Sequence, residues 1–86
     1  MSEEFNVSVT VKIYLEDFSK VQEVKKELSK RYKVVKTWEE EVGFGIKVLK
    51  ALLLLQDSQG GSDALEEFLV DLPEVSQVQV EEVSRV

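Results

Sequence analysis

Two hydrophobic periodicities alternate along this chain, and their order constrains the fold more than any other feature of the sequence. Apolar residues first recur at every second position over Phe5–Leu15, which is typical of a strand with one buried and one polar face. They then recur at steps of three and four over Phe18–Tyr32, which predicts an amphipathic helix of about four turns. Either Asp17 or Ser19 is suited to cap this helix at its start.

The alternating pattern then returns twice. Residues 34–42 carry few apolar side chains on either face, which favours a strand that is either short or at the edge of a sheet, where charged side chains discourage unwanted pairing. In residues 46–56, apolar side chains fall on both faces, with Lys50 interrupting one of them, and such a strand is usually central. Trp38, in the edge strand, is expected to be partly covered.

The last third of the chain predicts a loop, a helix and a strand. Residues 57–61 are rich in glycine and polar residues, as loops are. A helix is expected to start at Ser62 or Asp63 and to end before Pro73. A final strand follows from Val75, and its alternation slips at residues 81–82, which indicates a β-bulge.

The predicted order is strand, helix, strand, strand, helix, strand. Two crossover helices on one face of a four-stranded antiparallel sheet give an α+β fold, the ferredoxin-like βαββαβ sandwich. The right-handed crossover rule then makes the first and third strands central. With 86 residues, the chain has the length of a single domain, which we expect to span residues 1–86. This fold hosts unrelated functions, so it does not identify one.

The composition excludes several kinds of chemistry. The chain contains no histidine and no cysteine, so serine–histidine and cysteine–histidine catalysis, disulfides and thiolate zinc sites are ruled out. The run Glu39-Glu40-Glu41 is a poor metal site, because successive strand residues point to opposite faces and hard cations require six or more oxygen ligands. We therefore expect no catalytic residue, no metal and no cofactor.

The charge distribution favours protein partners over nucleic acid. The formal net charge is −6, and an acidic chain repels the phosphate backbone. A basic cluster does occur in the first half of the chain, and a solvated helix face explains it most simply: Lys25, Lys26, Lys30, Arg31, Lys33 and Lys36. The longest apolar run is residues 51–55, which is far too short for a membrane span, and the acidic start Met-Ser-Glu-Glu does not resemble a signal peptide. A cytoplasmic protein is expected.

Phe44 lies between Gly43 and Gly45, just before a strand. One interpretation is that its ring folds onto the sheet and the glycines form a bulge. The other is that the ring is held out for a partner. The segment is not a nucleotide-binding fingerprint, because it lacks the third glycine and leads into a strand instead of a helix.

Three segments carry a resemblance to a known family: EEEVGFGIKVLK, QDSQGGSDALEEFL and VSQVQVEEVSRV. In order and spacing they resemble the translation elongation factor 1-beta family in its short archaeal form. The resemblance covers residues 39–86, and the first 38 residues match it only in layout and length. It implies the ferredoxin-like fold and a guanine-nucleotide exchange factor that promotes GDP release and GTP rebinding on the GTPase elongation factor 1-alpha. Such a factor works by binding and is not an enzyme.

The resemblance also implies the residues that contact the partner, and the set is Gly43, Phe44, Gly45, Lys47, Arg85 and Val86. Phe44 falls on the family's aromatic that touches the GTPase. Arg85 falls on the penultimate basic position, where a lysine of eukaryotic members reaches the magnesium and phosphate region.

Three positions depart from the family pattern. Arg85 is forked where lysine is a compact charge, Val86 replaces a larger aliphatic residue, and Glu41 replaces a proline.

A second hypothesis is a regulatory domain that senses a small molecule. It would dimerise through the apolar face that carries Leu49, Leu53 and Leu55 and bind its ligand between subunits. A monomer in solution, which we expect, favours the exchange factor.

Overall fold

Six main elements follow the predicted order. A computed structural model describes residues 5–56 and 61–86 of the chain. The elements are β1 (Val7–Leu15), α1 (Val21–Arg31), β2 (Lys33–Gly43), β3 (Ile46–Leu55), α2 (Gly61–Val70) and β4 (Val75–Arg85). The four strands form one antiparallel sheet in the order β2-β3-β1-β4. The α+β ferredoxin-like sandwich is confirmed, and so are the central positions of β1 and β3 and the edge position of β2.

The core lies between the helices and one face of the sheet. The central strands contribute fully buried side chains at Val9, Val11, Ile13, Leu49 and Leu53. The helices cover these with Val24 and Leu28 from α1 and with Leu65 and Leu69 from α2, all fully buried. The dimerisation surface of the second hypothesis is therefore wrong: Leu49, Leu53 and Leu55 lie beneath the helices and present no surface to another subunit.

A short 3₁₀ turn over Phe18–Lys20 precedes α1. Asp17 Oδ1 accepts hydrogen bonds from the Ser19 amide at 3.0 Å and from Ser19 Oγ at 2.8 Å. These bonds hold the pKa of the Asp17 carboxyl below its ordinary value, because they stabilise the charged form. Asp17 is thus the capping residue of this turn, and Ser19 is its donor.

The second helix begins one residue earlier than the earliest predicted start. Gly61 is its first residue and has a φ of +59°, a conformation that glycine adopts without steric cost. Asp63 lies in the first turn, where a carboxylate favours the positive end of the helix dipole. The rest of the predicted loop, 57–60, lies outside the described residues. Within the described ranges, no helix is long and apolar enough to cross a membrane.

The bulge predicted in β4 is confirmed. Thr10 pairs with Glu82, but the next residue of β1, Val11, pairs with Val80. Glu81 is therefore the extra residue on β4. Its carboxylate reaches Lys12 and Lys50, two residues paired with each other on the sheet face that the helices leave open.

Candidate partner-binding surface

The hairpin between β2 and β3 ends in a two-residue turn. Gly43 pairs with Ile46, which leaves only Phe44 and Gly45 in the loop. Both have positive φ, +54° at Phe44 and +76° at Gly45, and this combination is the signature of a type I′ turn. Gly43 also has a positive φ, +121°. The positive φ values favour glycine at positions 43 and 45. Lack of space is not the reason, since a Cβ at Gly43 or Gly45 would meet nothing within 4 Å.

Phe44 is fully exposed, with a relative exposure of 104%. The interpretation in which its ring folds onto the sheet is therefore wrong. Val42 and Ile46 flank it and are also exposed, so the three side chains form an apolar end to the hairpin, called here the hairpin tip. Phe44 is the only non-glycine residue with positive φ in the described part of the chain.

Sequence reasoning did not single out Val42 and Ile46 as part of a site. Continuing the register of β1 with β3, in which Ile13 pairs with Leu49, would place Leu15, the last residue of β1, opposite Lys47. The hairpin therefore extends past the end of its central neighbour, and Ile46 has no strand beside it on that side. The predicted spans of the two strands, 5–15 and 46–56, are equally long, so their lengths carried no signal for this overhang.

Glu41 contacts the turn. Its Oε2 accepts a hydrogen bond from the Gly45 amide at 3.2 Å. Lys47, one of the predicted partner-binding residues, is exposed and lies opposite Glu41 in the β2–β3 register. Glu41 therefore supplies an acceptor to the loop that holds Phe44.

Arg85 and Val86 lie at the end of β4, where the backbone is paired. Arg85 pairs with Val7, and the Val86 amide donates to the Asn6 carbonyl at 3.2 Å. Val86 is exposed. A cleft of about 300 Å³ lies beside Arg85 and is lined by Val7, Val83, Ser84 and the first turn of α2. The last residues of the chain are thus held as part of the sheet.

The structure separates the predicted residues into two groups. Gly43, Phe44, Gly45 and Lys47 lie at the hairpin end, either level with Leu15 at the end of β1 or beyond it. Arg85 and Val86 lie at the start of β1. β1 has nine residues, so the two groups are at least about 26 Å apart at 3.3 Å per residue. The molecule is elongated to match, at 44 × 21 × 19 Å.

An ion network occupies the middle of the open sheet face. Lys50 Nζ lies 2.5 Å from Glu81 and 3.4 Å from Glu40, and Lys12 Nζ lies 3.6 Å from Glu81. The hydrogen bond between Lys50 and Glu81 lowers the pKa of Glu81 and raises that of Lys50, because each charge stabilises the other. Their shifts therefore arise from mutual pairing, as in structural ion networks.

The basic cluster is spread over the outer side of α1 and the start of β2. Lys30 pairs with Glu27 at 3.5 Å, and Arg31 stacks over Phe68 at 5.0 Å from the ring centroid. Lys36 lies 5.2 Å from the ring centroid of Trp38, which is half-buried as predicted. Within residues 5–56 and 61–86, no three carboxylates gather as a metal site would require.

Comparison with known proteins identifies the family. Residues 8–86 match the EF-1 guanine nucleotide exchange domain. This chain belongs to the EF-1 guanine nucleotide exchange domain family. The match includes most of the first half of the chain, where the resemblance had rested on layout and length alone.

Archaeal members of the family cover between about half and nearly all of the chain. An elongation factor 1-beta of Aeropyrum pernix is 35% identical over 85 residues, which cover 92% of this chain and 94% of the relative. One from Ignicoccus hospitalis is 31% identical over 85 residues, with 92% and 90% covered. One from Methanococcoides burtonii is 44% identical over 46 residues, about half of each chain. The resemblance to the elongation factor 1-beta family is confirmed.

Proposed function

We propose that this chain is the guanine-nucleotide exchange factor of elongation factor 1-alpha, and that it acts in the cytoplasm as a monomer before it binds. The observation that carries the proposal is the match of residues 8–86 to an exchange domain of elongation factor 1. An exchange factor works by binding, which suits a chain without histidine or cysteine. The proposed partner-binding residues are Gly43, Phe44, Gly45, Lys47, Arg85 and Val86.

The exposed ring of Phe44 supports a contact at the hairpin end. Burying a large apolar side chain stabilises a protein by about 1.5–3 kcal/mol. The free chain does not gain this stabilisation from Phe44, because the ring does not pack against the sheet. Burial of Phe44 in an apolar pocket of the GTPase recovers that free energy on binding. The flanking Val42 and Ile46, which are also exposed, widen the apolar contact.

The distance between the two groups of residues limits how the factor works. A GTPase that touches both Phe44 and Arg85 has to extend along the long axis of this molecule, 44 Å. A thousandfold acceleration of GDP release requires about 4 kcal/mol of differential stabilisation. One charged hydrogen bond contributes about 1.5–3 kcal/mol, so Arg85 alone is insufficient. The rest comes from contacts that favour the nucleotide-free GTPase, including those of the hairpin tip.

Release of fluorescent GDP from elongation factor 1-alpha tests the proposal. We expect the chain to accelerate release, Arg85→Ala to retain measurable exchange, and Phe44→Ala to weaken formation of the complex. An unchanged lifetime of bound GDP would overturn the proposed function. Complete loss of exchange in Arg85→Ala with binding intact would overturn the inference that contacts at both ends of the molecule contribute to exchange. Size measurement of the free chain at micromolar concentration checks the monomer.

A further inference from the structure

Phe44 is held in a backbone conformation that a phenylalanine seldom adopts. Left-handed φ values cost a residue with a Cβ about 1–2 kcal/mol, and the first position of a type I′ turn favours asparagine, aspartate or glycine. Phe44 nevertheless has a φ of +54°, and its ring makes up none of this cost in the free chain, since it is fully exposed. Other contacts of the turn have to favour this conformation.

Glu41 provides such a contact. The amide that donates to its Oε2 at 3.2 Å belongs to Gly45, so the bond fixes the peptide plane that joins Phe44 to Gly45. A carboxylate acceptor makes this a charge-assisted bond, stronger than one between neutral groups. Although Lys47 lies opposite Glu41 in the register, these two described residues form no ion pair within 4 Å. The Glu41 carboxylate contacts the turn instead.

We propose that Glu41 is a positioning residue, which fixes the turn so that Phe44 projects in its binding orientation before the partner arrives. This inference rests on the proposed function, because it assumes that Phe44 enters an apolar pocket of the GTPase. The physical basis is preorganisation: a loop already in its bound conformation loses less conformational freedom on association. Glu41 then strengthens binding through Phe44 without touching the partner.

Three variants separate the hydrogen bond from the charge. Glu41→Ala removes the acceptor and the charge, whereas Glu41→Gln removes the charge and keeps a carbonyl oxygen as acceptor. Glu39→Ala is the matched control: it removes one charge from the same acidic run, and Glu39 is exposed and lies opposite Leu49, away from the turn.

The first measurement uses the free chain and needs no partner. Hydrogen exchange of the Gly45 amide is followed by NMR in the wild type and the three variants. We expect exchange to be about twofold to tenfold faster in Glu41→Ala, as the loss of one hydrogen bond implies. Glu41→Gln should lie between Glu41→Ala and the wild type, and Glu39→Ala should match the wild type.

The second measurement is affinity for nucleotide-free elongation factor 1-alpha. We expect Glu41→Ala to weaken binding by about twofold to tenfold, with partial rescue in Glu41→Gln and no change in Glu39→Ala. In a Phe44→Ala background, Glu41→Ala should have no further effect, because the positioned ring is absent. If Glu41 acted only through the charge of the surface, Glu41→Ala would still change the affinity in that background.

The outcomes distinguish the inference from the function on which it rests. Unchanged Gly45 exchange in Glu41→Ala overturns the inference, whatever the affinity does. Suppose that Phe44→Ala weakens binding. Faster Gly45 exchange with unchanged affinity in Glu41→Ala then also overturns the inference, because fixing the turn has no effect on binding. If Phe44→Ala leaves binding unchanged, the proposed contact of the ring fails, and the role of Glu41 fails with it.

Discussion

At the scale of the residue, Phe44 combines complete exposure with a left-handed backbone, and both features cost stability in the free chain. We expect Phe44→Asn to raise the free energy of unfolding by about 1 kcal/mol, because asparagine tolerates this conformation far better. For a domain of this size that corresponds to a rise in Tm of about 4–8 °C. Thermal unfolding and a binding assay, run together, should show a more stable protein that binds the GTPase less tightly.

Phe44→Ala is the control for that prediction. Alanine keeps a Cβ and therefore the strain, and it removes a ring that contacts no core residue, so its free energy of unfolding should stay within about 0.5 kcal/mol of the wild type. A loss of several kcal/mol, as in a large-to-small core substitution, would show that the ring is packed.

The exposure of Phe44 was one of two outcomes that the sequence allowed. Glycines on both sides of an aromatic suit a bulge as well as a turn, because both require positive φ. The register shows both features: it shifts between Glu41 and Gly43, and the pairing of Gly43 with Ile46 leaves two residues in the loop. The side chain of Phe44 is fully exposed and does not fold onto the sheet. Register depends on contacts along the whole strand, so local composition could not supply it.

At the scale of the element, the bulge in β4 places Glu81 between Lys12 and Lys50. The folded pKa of Glu81 lies below its ordinary value of 4.5. Its stabilising contribution is therefore present above about pH 4.5 and is lost as the pH falls through the folded pKa. We expect Glu81→Gln to lower the free energy of unfolding by about 1 kcal/mol at pH 7 and to have less effect at pH 3.

Urea unfolding between pH 3 and pH 8 checks this, with Glu82→Gln as the control. Glu82 is the exposed neighbour of Glu81 and lies outside the ion network, so its substitution should leave the pH profile unchanged. A constant difference between Glu81→Gln and the wild type across the whole range would contradict the pairing. The raised pKa of Lys50 affects stability at high pH. The contribution of Lys50 to the free energy of unfolding is lost only above about pH 10.5.

The elements themselves were largely predictable, and the misses have local causes. A strand apolar on both faces predicted the central position of β3, and the slip in alternation predicted the bulge. The start of α2 was placed too late, because Gly61 was assigned to the loop when its freedom at positive φ serves the first residue of the helix. The partners of Glu81 were not predicted, since they come from two other strands.

At the scale of the whole molecule, the strand order places the two groups of predicted residues at opposite ends. The hairpin of β2 and β3 points one way, and β4 ends the other way, beside the start of β1. The topology was predicted from the sequence, so this separation follows from it. The extent of the apolar hairpin tip could not be predicted in this way, because it depends on where β1 ends relative to β3.

This separation leads to a prediction about the double variant. Sites more than about 10 Å apart that contact no residue in common contribute additively to free energy, to within about 0.5 kcal/mol, and Phe44 and Arg85 are farther apart than that. The loss of binding free energy in Phe44→Ala/Arg85→Ala should therefore equal the sum of the two single losses, measured by titration against nucleotide-free elongation factor 1-alpha. A double loss clearly smaller than the sum would mean that each residue needs the other in place, so that the two ends engage one coupled change in the GTPase. Additivity would instead mean that each end contacts its own region of the partner, and that the rigid sheet between them fixes only the distance.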